Sequence, residues 1–369
     1  MAKKMLMLAA VQATIGAFNM NNMALLQEMG VEVHVAANFA DESVWTKERT
    51  ARFEADLREM GIVAHQIDFS RSALNLSGHR TAYRQLLELL RREEFDFIHT
   101  HTPIASALGR MAASKTKTKV IYTAHGFHFY DGAPLKNWVI YYPIEKALSG
   151  KTDVLITINK EDFARANAKF SAREMVYVPG VGVDTKKFAP VSESERDELC
   201  ASLRTELNIP EGNRIVLSVG ELNVNKNHVA VVKALAGMEN VTYLVAGKGP
   251  LAGELENLAR QQGVDLRLLG FRTDVDRLYR AANLYVLPSF REGLNVSLME
   301  AAACGAKCIA GDIRGNRDIL PKSCLFLPSD AAAIRKLIER MESVEPAGDM
   351  QRFSLETVRS MMREIYKGI

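Results

Sequence analysis

The chain has 369 residues, of which 47% are hydrophobic and 25% charged; that is the composition of a soluble globular protein, and too much chain for one ordinary core. Its 47 basic and 44 acidic residues leave a net charge of +3, too small to argue for a nucleic-acid partner. Four cysteines (Cys200, Cys304, Cys308 and Cys324) follow no paired or metal-ligand spacing, so free thiols in a reducing cytoplasm are expected.

The N-terminal "MAKKMLMLAAVQATIG" imitates a signal peptide, but its apolar run is only a strand long before Gln12 and Thr14. No stretch approaches the ~20 apolar residues of a membrane span. Further on, "NMNNMALLQEMG" reads as a helix closed by Gly30 and "VEVHVAAN" as a strand. The alternation continues through "TAYRQLLELLRREEF", "DFIHTHTP", "ALGRMAASK" and "KVIYTAHG". Between Arg110 and Lys151, seven Lys and Arg face only Asp131 and Glu145, and the aromatic "NWVIYYPI" lies among them. A basic surface beside an apolar segment suits an anionic membrane; a core helix with one charged, solvated face would read the same way.

The Gly- and Pro-rich "VYVPGVGVDTKKFAPVSESE" reads as an interdomain linker, after which the pattern restarts. "RIVLSVGEL", "NHVAVVKALAGM", "VTYLVAGKG", "LAGELENLARQQG", "DLRLLGF" and "NLYVLPSF" form the second series. Strands alternating with helices predict parallel sheets, and two series predict two doubly wound α/β domains with a ligand cleft between them. We place the domains at residues 1–185 and 186–352, with the helix at 353–369 returning to the first. An apolar stripe of Phe353, Leu355, Val358, Met361, Met362 and Ile365 motivates that return.

"SFREGLNVSLMEAAACGAK" holds two glutamates eight positions apart, Glu292 at a strand's end and Glu300 in the following helix. The first amides of that helix, starting near Leu294 or Asn295, are unpaired and suit a phosphate. Eight residues at ~1.5 Å span ~12 Å, about the reach of a nucleotide diphosphate-sugar. On this reading Glu292 accepts bonds from sugar hydroxyls and Glu300 from ribose hydroxyls. The spacing is equally met by a surface Glu292 and a Glu300 bonded to nearby backbone.

The longer segment "LPSFREGLNVSLMEAAACGAKCIAGDIRGNRDIL" resembles the donor-binding region of the family 4 retaining glycosyltransferases, which have the two-domain GT-B fold. "VPGVGVDTKKF", "VGELNVNKNH", "VAGKGPL" and "LGFRTDVDRLYRAANLYVLPS" extend the resemblance, and "YTAHGFHFYDGAPLKNWVIYYPIEKALSGKTDVLITINKEDF" is similar to bacterial capsular and exopolysaccharide enzymes. The resemblance implies that Glu300 holds the ribose, that Glu292 contacts the donor sugar, and that the amides of Gly293, Leu294 and Asn295 meet the diphosphate or sugar. It also implies a histidine, here His125, reaching the sugar, and a glycine-rich first loop, here reduced to "QATIGAF" with Gly16 as its one glycine.

Two positions depart from the pattern. Asn295 replaces a common glycine, and Glu221 replaces an arginine that joins a lysine, here Lys226, on the diphosphate. Lys226 must then serve alone, or with Arg291 or Arg272. Of the other histidines, His99, His101 and His128 lie at strand ends where alternation buries some, and His34 reads as structural. Asp274-Val275-Asp276 is a literal D-x-D, but Thr273 and Asp274 read as a helix cap, so no metal site is expected.

Together these features imply a cytoplasmic transferase, peripheral at the inner face of the plasma membrane and requiring no metal or other cofactor. Its donor would be a UDP-sugar carrying a hexose or N-acetylated hexosamine, and its acceptor a polyprenyl-diphosphate-linked saccharide. The alternatives are a UDP-sugar 2-epimerase of GT-B shape and a non-catalytic sugar-binding subunit of a polysaccharide assembly complex.

Overall fold

In the computed structural model, which describes residues 2–369, the apolar runs become two parallel sheets in two compact units, Met1–Val181 with Val358–Ile369, and Gly182–Thr357. The first sheet is built from β1 (Lys4–Val11), β2 (Glu32–Asn38), β3 (Val63–Gln66), β4 (Phe97–His101), β5 (Lys119–Ala124), β6 (Val154–Thr157) and β7 (Glu174–Tyr177). The second contains β8 (Arg214–Val219), β9 (Val241–Ala246), β10 (Asp265–Gly270), β11 (Leu284–Leu287), β12 (Cys308–Gly311) and β13 (Leu325–Phe326). Their orders are β3-β2-β1-β4-β5-β6-β7 and β10-β9-β8-β11-β12-β13. Each sheet therefore has a switch point, between β1 and β4 and between β8 and β11, where the crossover direction reverses and a crevice opens at the carboxyl ends of the strands.

Helices cover both faces, so central strands such as β1 and β4 are buried on both sides rather than on alternate residues. In β1, Met5, Met7 and Ala9 point into one core while Leu6, Leu8 and Ala10 point into the other. The terminal helix Leu355–Gly368 buries Val358, Met362 and Tyr366 in the same core as Met5 and Met7. Tyr366 also bonds across to His99 on β4, at 2.9 Å from Nδ1.

Two local readings of the sequence are corrected. "QATIGAF" is not a loop but the helix Gln12–Phe18. Its start is tied down by Gln12 Nε2, which donates to the Asp41 carbonyl and to Thr50. Gly16 lies inside that helix because Trp45 packs on it: a Cβ there would stand 2.3 Å from the indole. The residue makes room for a side chain.

The basic stretch also loses one of its charges. Arg110 is 1% exposed and its guanidinium donates to Glu145 at 2.8 Å, with the Tyr122 hydroxyl on the same carboxylate at 3.1 Å. That buried group fixes the inner face of helix Leu135–Ser149 and leaves its outer face to solvent. Leu135, Val139, Ile140 and Ile144 are 77%, 66%, 49% and 46% exposed. This is neither a core helix nor a helix with a merely charged outer face. Lys115, Lys117, Lys119, Lys136, Lys146 and Lys151 remain exposed.

Candidate active site

The second unit brings Lys226 and Glu292 together at its switch point. Lys226 follows β8 and Glu292 follows β11, and Nζ donates to Glu292 Oε1 at 2.8 Å. Both side chains are more than four-fifths buried. The polar run "NVNKNH" explains why the two loops meet there. Asn225 donates to the Arg291 carbonyl at 2.9 Å, and Asn227 to the carbonyls of Pro288 and Pro328 at 3.1 and 2.8 Å. Phe290 donates its amide to the Asn225 carbonyl at 2.9 Å. The stem of Lys226 lies over Gly220, where a Cβ would sit 3.2 Å from Cε.

Glycines allow a close backbone approach around this pair. A Cβ on Gly247 would fall 1.8 Å from the Gly220 carbonyl oxygen, which is why "AGKG" can pack directly against the loop after β8. Gly315, with φ +78, backs Gly293 in the same way, and Arg314 Nε donates to the Glu292 carbonyl at 3.2 Å. Arg314 is thus a support for the glutamate loop that sequence reasoning missed.

The helix beyond Glu292 spans Val296–Ala303. Asn295 is its cap: its side-chain oxygen accepts from the Leu298 amide at 3.0 Å, and the residue is 6% exposed. Only the later part of the eight-residue glutamate spacing is helical, so the ~12 Å of helical rise does not apply. Capping holds the helix start back to Val296, and the unpaired first-turn amides extend to Val296 and Ser297 rather than lying only at Gly293, Leu294 and Asn295.

Glu300 sits within that helix, where its Oε2 accepts from the Tyr279 hydroxyl at 3.0 Å. The bond comes from a side chain rather than from backbone. Burial raises the Glu300 carboxyl above its ordinary value, against the opposing effect of that hydroxyl. Tyr279 is a partner of Glu300 missed from sequence, and "DRLYRAA" carries no signal for it.

The candidate cations separate. Arg291 is exposed and makes no ion pair among the described residues. Arg272, beyond the edge strand β10, instead pairs with Glu206 at 2.9 Å and with both oxygens of Asp274 at 2.7 and 2.6 Å. These two carboxylates meet its charge in the ligand-free protein, as Glu292 meets that of Lys226. Asp274 stands at the cap position of helix Val275–Ala281, but its carboxylate goes to Arg272 rather than to the helix amides. Asp276 pairs with Arg280 at 2.8 Å. Glu221 is exposed after β8.

In the first unit, β1 and β4 part at a cavity of about 440 Å³ lined by Val11, Phe18, Trp45, Arg71, Thr102 and Tyr141, among others. Thr102 has φ +66, a strained backbone for a β-branched residue, and such strain gathers at functional positions. His128, stacked on Tyr141 with ring centroids 4.5 Å apart, also lines it. His125 follows β5, partly exposed, with Nε2 at 2.9 Å from His101 Nδ1. Burial pulls the His125 ring down to about 4 and the fully buried His99 to about 3, so both are neutral at physiological pH. His34 is buried between Glu32 and His65, a structural position.

Comparison with known proteins decides the family. The Glycosyltransferase Family 4 profile matches residues 20–187, and the Glycosyl transferases group 1 profile matches residues 201–354. Putative glycosyltransferase EpsD of Bacillus subtilis is 34% identical over 354 residues, covering 92% of this chain and 88% of that one. The chain belongs to the family 4 glycosyltransferases. A second relative, the UDP-Gal:alpha-D-GlcNAc-diphosphoundecaprenol alpha-1,3-galactosyltransferase of Escherichia coli, is 29% identical over 63% of this chain and 61% of its own. The fold of this family 4 enzyme is GT-B. Anabaena HepE in complex with UDP superposes with a TM-score of 0.77 at 18% identity, over 100% of both chains. Sucrose-phosphate synthase from Thermosynechococcus elongatus gives 0.76 at 18% identity, over 99% and 98%.

Proposed function

We propose that this glycosyltransferase moves a sugar from a UDP-sugar to a lipid-linked saccharide acceptor, with retention of configuration, in the synthesis of a surface polysaccharide. The observation that carries the reading is the Lys226–Glu292 pair at the β8/β11 switch point, beside the free amides that open helix Val296–Ala303. One cation and a helix N-terminus suit a diphosphate leaving group. Glu292, released from Lys226 by the incoming phosphates, accepts hydrogen bonds from the sugar. Glu300 accepts from the ribose hydroxyls, and His125 contacts a sugar hydroxyl.

In the transfer step the acceptor hydroxyl oxygen bonds to the anomeric carbon as the bond from that carbon to the diphosphate oxygen breaks. A phosphate oxygen of the departing UDP takes the acceptor's proton. Lys226 and the amides offset the charge that grows on the leaving group, so the step is proposed to need neither a protein base nor a metal ion. Both carboxylates of the D-x-D are engaged by arginines, which is consistent with this division of labour.

Support for the donor and acceptor comes from relatives and from the surface. The E. coli relative is named for a UDP-sugar donor and a diphosphoundecaprenol acceptor, and HepE was crystallised with UDP and with UDP-glucose. The exposed apolar side chains of helix Leu135–Ser149, which also carries the exposed Lys136 and Lys146, suit an anionic membrane that carries such an acceptor. No helix among the described residues is long and apolar enough to cross a membrane, so contact would be peripheral. A screen of nucleotide sugars against lipid-linked acceptors tests the assignment.

A further inference from the structure

His101 and His125 end adjacent strands, and the hydrogen bond between them has a direction that the structure determines. His101 is 1% exposed, and its second ring nitrogen, Nε2, lies 3.2 Å from Met7 Sδ on β1. A thioether has no hydrogen to donate, so this contact is attractive only when His101 Nε2 carries the hydrogen. A neutral imidazole has one N–H. His101 Nδ1 is therefore bare, and the hydrogen in the 2.9 Å bond to His125 belongs to His125 Nε2. That leaves His125 Nδ1 with a lone pair and no hydrogen-bond partner among the described residues.

The neighbours keep both rings neutral. Burial depresses both, and His99, with its ring centroid 4.3 Å from that of His101, opposes a charge there. His99 does not compete for the nitrogens of His101, because its own face Tyr366 and Thr123 at 2.9 and 2.8 Å. No carboxylate contacts His101 or His125 among the described residues.

We infer that Met7 and His101 are positioning residues that hold His125 as its Nε2–H tautomer, so that His125 meets the substrate through Nδ1 as a hydrogen-bond acceptor. The group that fits is a hydroxyl. A phosphate oxygen, itself only an acceptor, does not fit. This rests on the reading of His125 as a sugar contact, but the tautomer is a property of the ligand-free protein and is measured separately. It also sets specificity, since a donor sugar lacking the hydroxyl leaves the lone pair unmatched.

The test is long-range 1H–15N correlation of the histidine side chains in the full-length, ligand-free protein at neutral pH, with signals assigned through His125→Gln. The chain has only eight histidines. His101 and His125 should both appear as Nε2–H tautomers. An Nδ1–H tautomer or an imidazolium at His125 in the unmodified protein would overturn the inference without any variant having to fold. In Met7→Leu, which keeps the volume but removes the sulfur, the His125 signals should move toward an average of the two tautomers. kcat/KM should fall roughly five- to tenfold, the scale of one weakened hydrogen bond. Tautomers unchanged by Met7→Leu would refute the relay from Met7. If the tautomers are as stated and His125→Gln transfers sugar at the normal rate, the relay stands and the substrate contact fails.

Discussion

Lys226 Nζ and Glu292 Oε1 stand 2.8 Å apart at the point where β8 and β11 diverge, so without donor each charge satisfies the other. Donor phosphates would compete with Glu292 for Lys226. Lys226→Ala should then slow transfer by at least ~100-fold, the scale of losing one partner of developing charge. Transfer by the unmodified enzyme should persist in EDTA, and Glu292→Ala should impair transfer more than UDP binding. Activity abolished by EDTA and restored by magnesium or manganese would contradict this and make Glu221 the first ligand to examine.

Glu300→Ala should weaken UDP binding by ~1.5–3 kcal/mol, about 10- to 150-fold, without unfolding the protein. Calorimetry reads this directly. Burial holds the Glu300 carboxyl above its ordinary value, whereas ribose hydroxyls favour the ionised form. Binding therefore releases a proton when the carboxyl is protonated, and affinity should fall as pH drops through the raised value. Glu300→Gln should bind UDP more weakly at neutral pH and lose that pH dependence. A wild-type affinity that rises on acidification would contradict the role.

Tyr366 ties the terminal helix to the first unit through His99. Tyr366→Phe leaves the fully buried His99 Nδ1 without that partner, at a cost of roughly 1–3 kcal/mol. The unfolding midpoint of that unit should fall by several degrees. A fragment of residues 1–185, which lacks Val358, Met362 and Tyr366 from its core, should melt well below the intact protein. Equal melting would show that the helix contributes nothing.

How far the sequence could be read depended on the distance between interacting residues. The strands were legible because their apolar runs are local, and β1 feeds both faces of its sheet as a run buried on two sides must. Lys226 was separable as a candidate because it follows a central strand. Arg272 looked equivalent, since sequence does not tell that β10 is an edge strand or that Glu206, 66 positions away, takes its charge. The surroundings of Gly16 and Arg110 are hidden for the same reason, as Trp45 and Glu145 meet them only through folding. The helix start is legible locally, because an asparagine ahead of an apolar helix is a ready cap, and the helix begins just after Asn295.

The exposed face of helix Leu135–Ser149 should bind membranes. In flotation with anionic vesicles, Val139→Glu with Ile140→Glu should reduce binding by at least about tenfold, and salt should weaken what remains. Burying such a side chain contributes up to ~1.5–3 kcal/mol, so two losses are readily seen. Unchanged flotation would remove the membrane from the account.

In the proposed reaction, sugar leaves UDP and arrives on a lipid. The most direct measurement is incubation of the purified enzyme with radiolabelled UDP-sugars and polyprenyl-diphosphate-linked saccharides, following label into the organic phase and determining the anomeric configuration of the product. We expect one donor to label the lipid, only when the acceptor is present, with its configuration retained. Label that never enters the lipid, or a UDP-sugar epimerised at C2 with no acceptor added, would contradict the account.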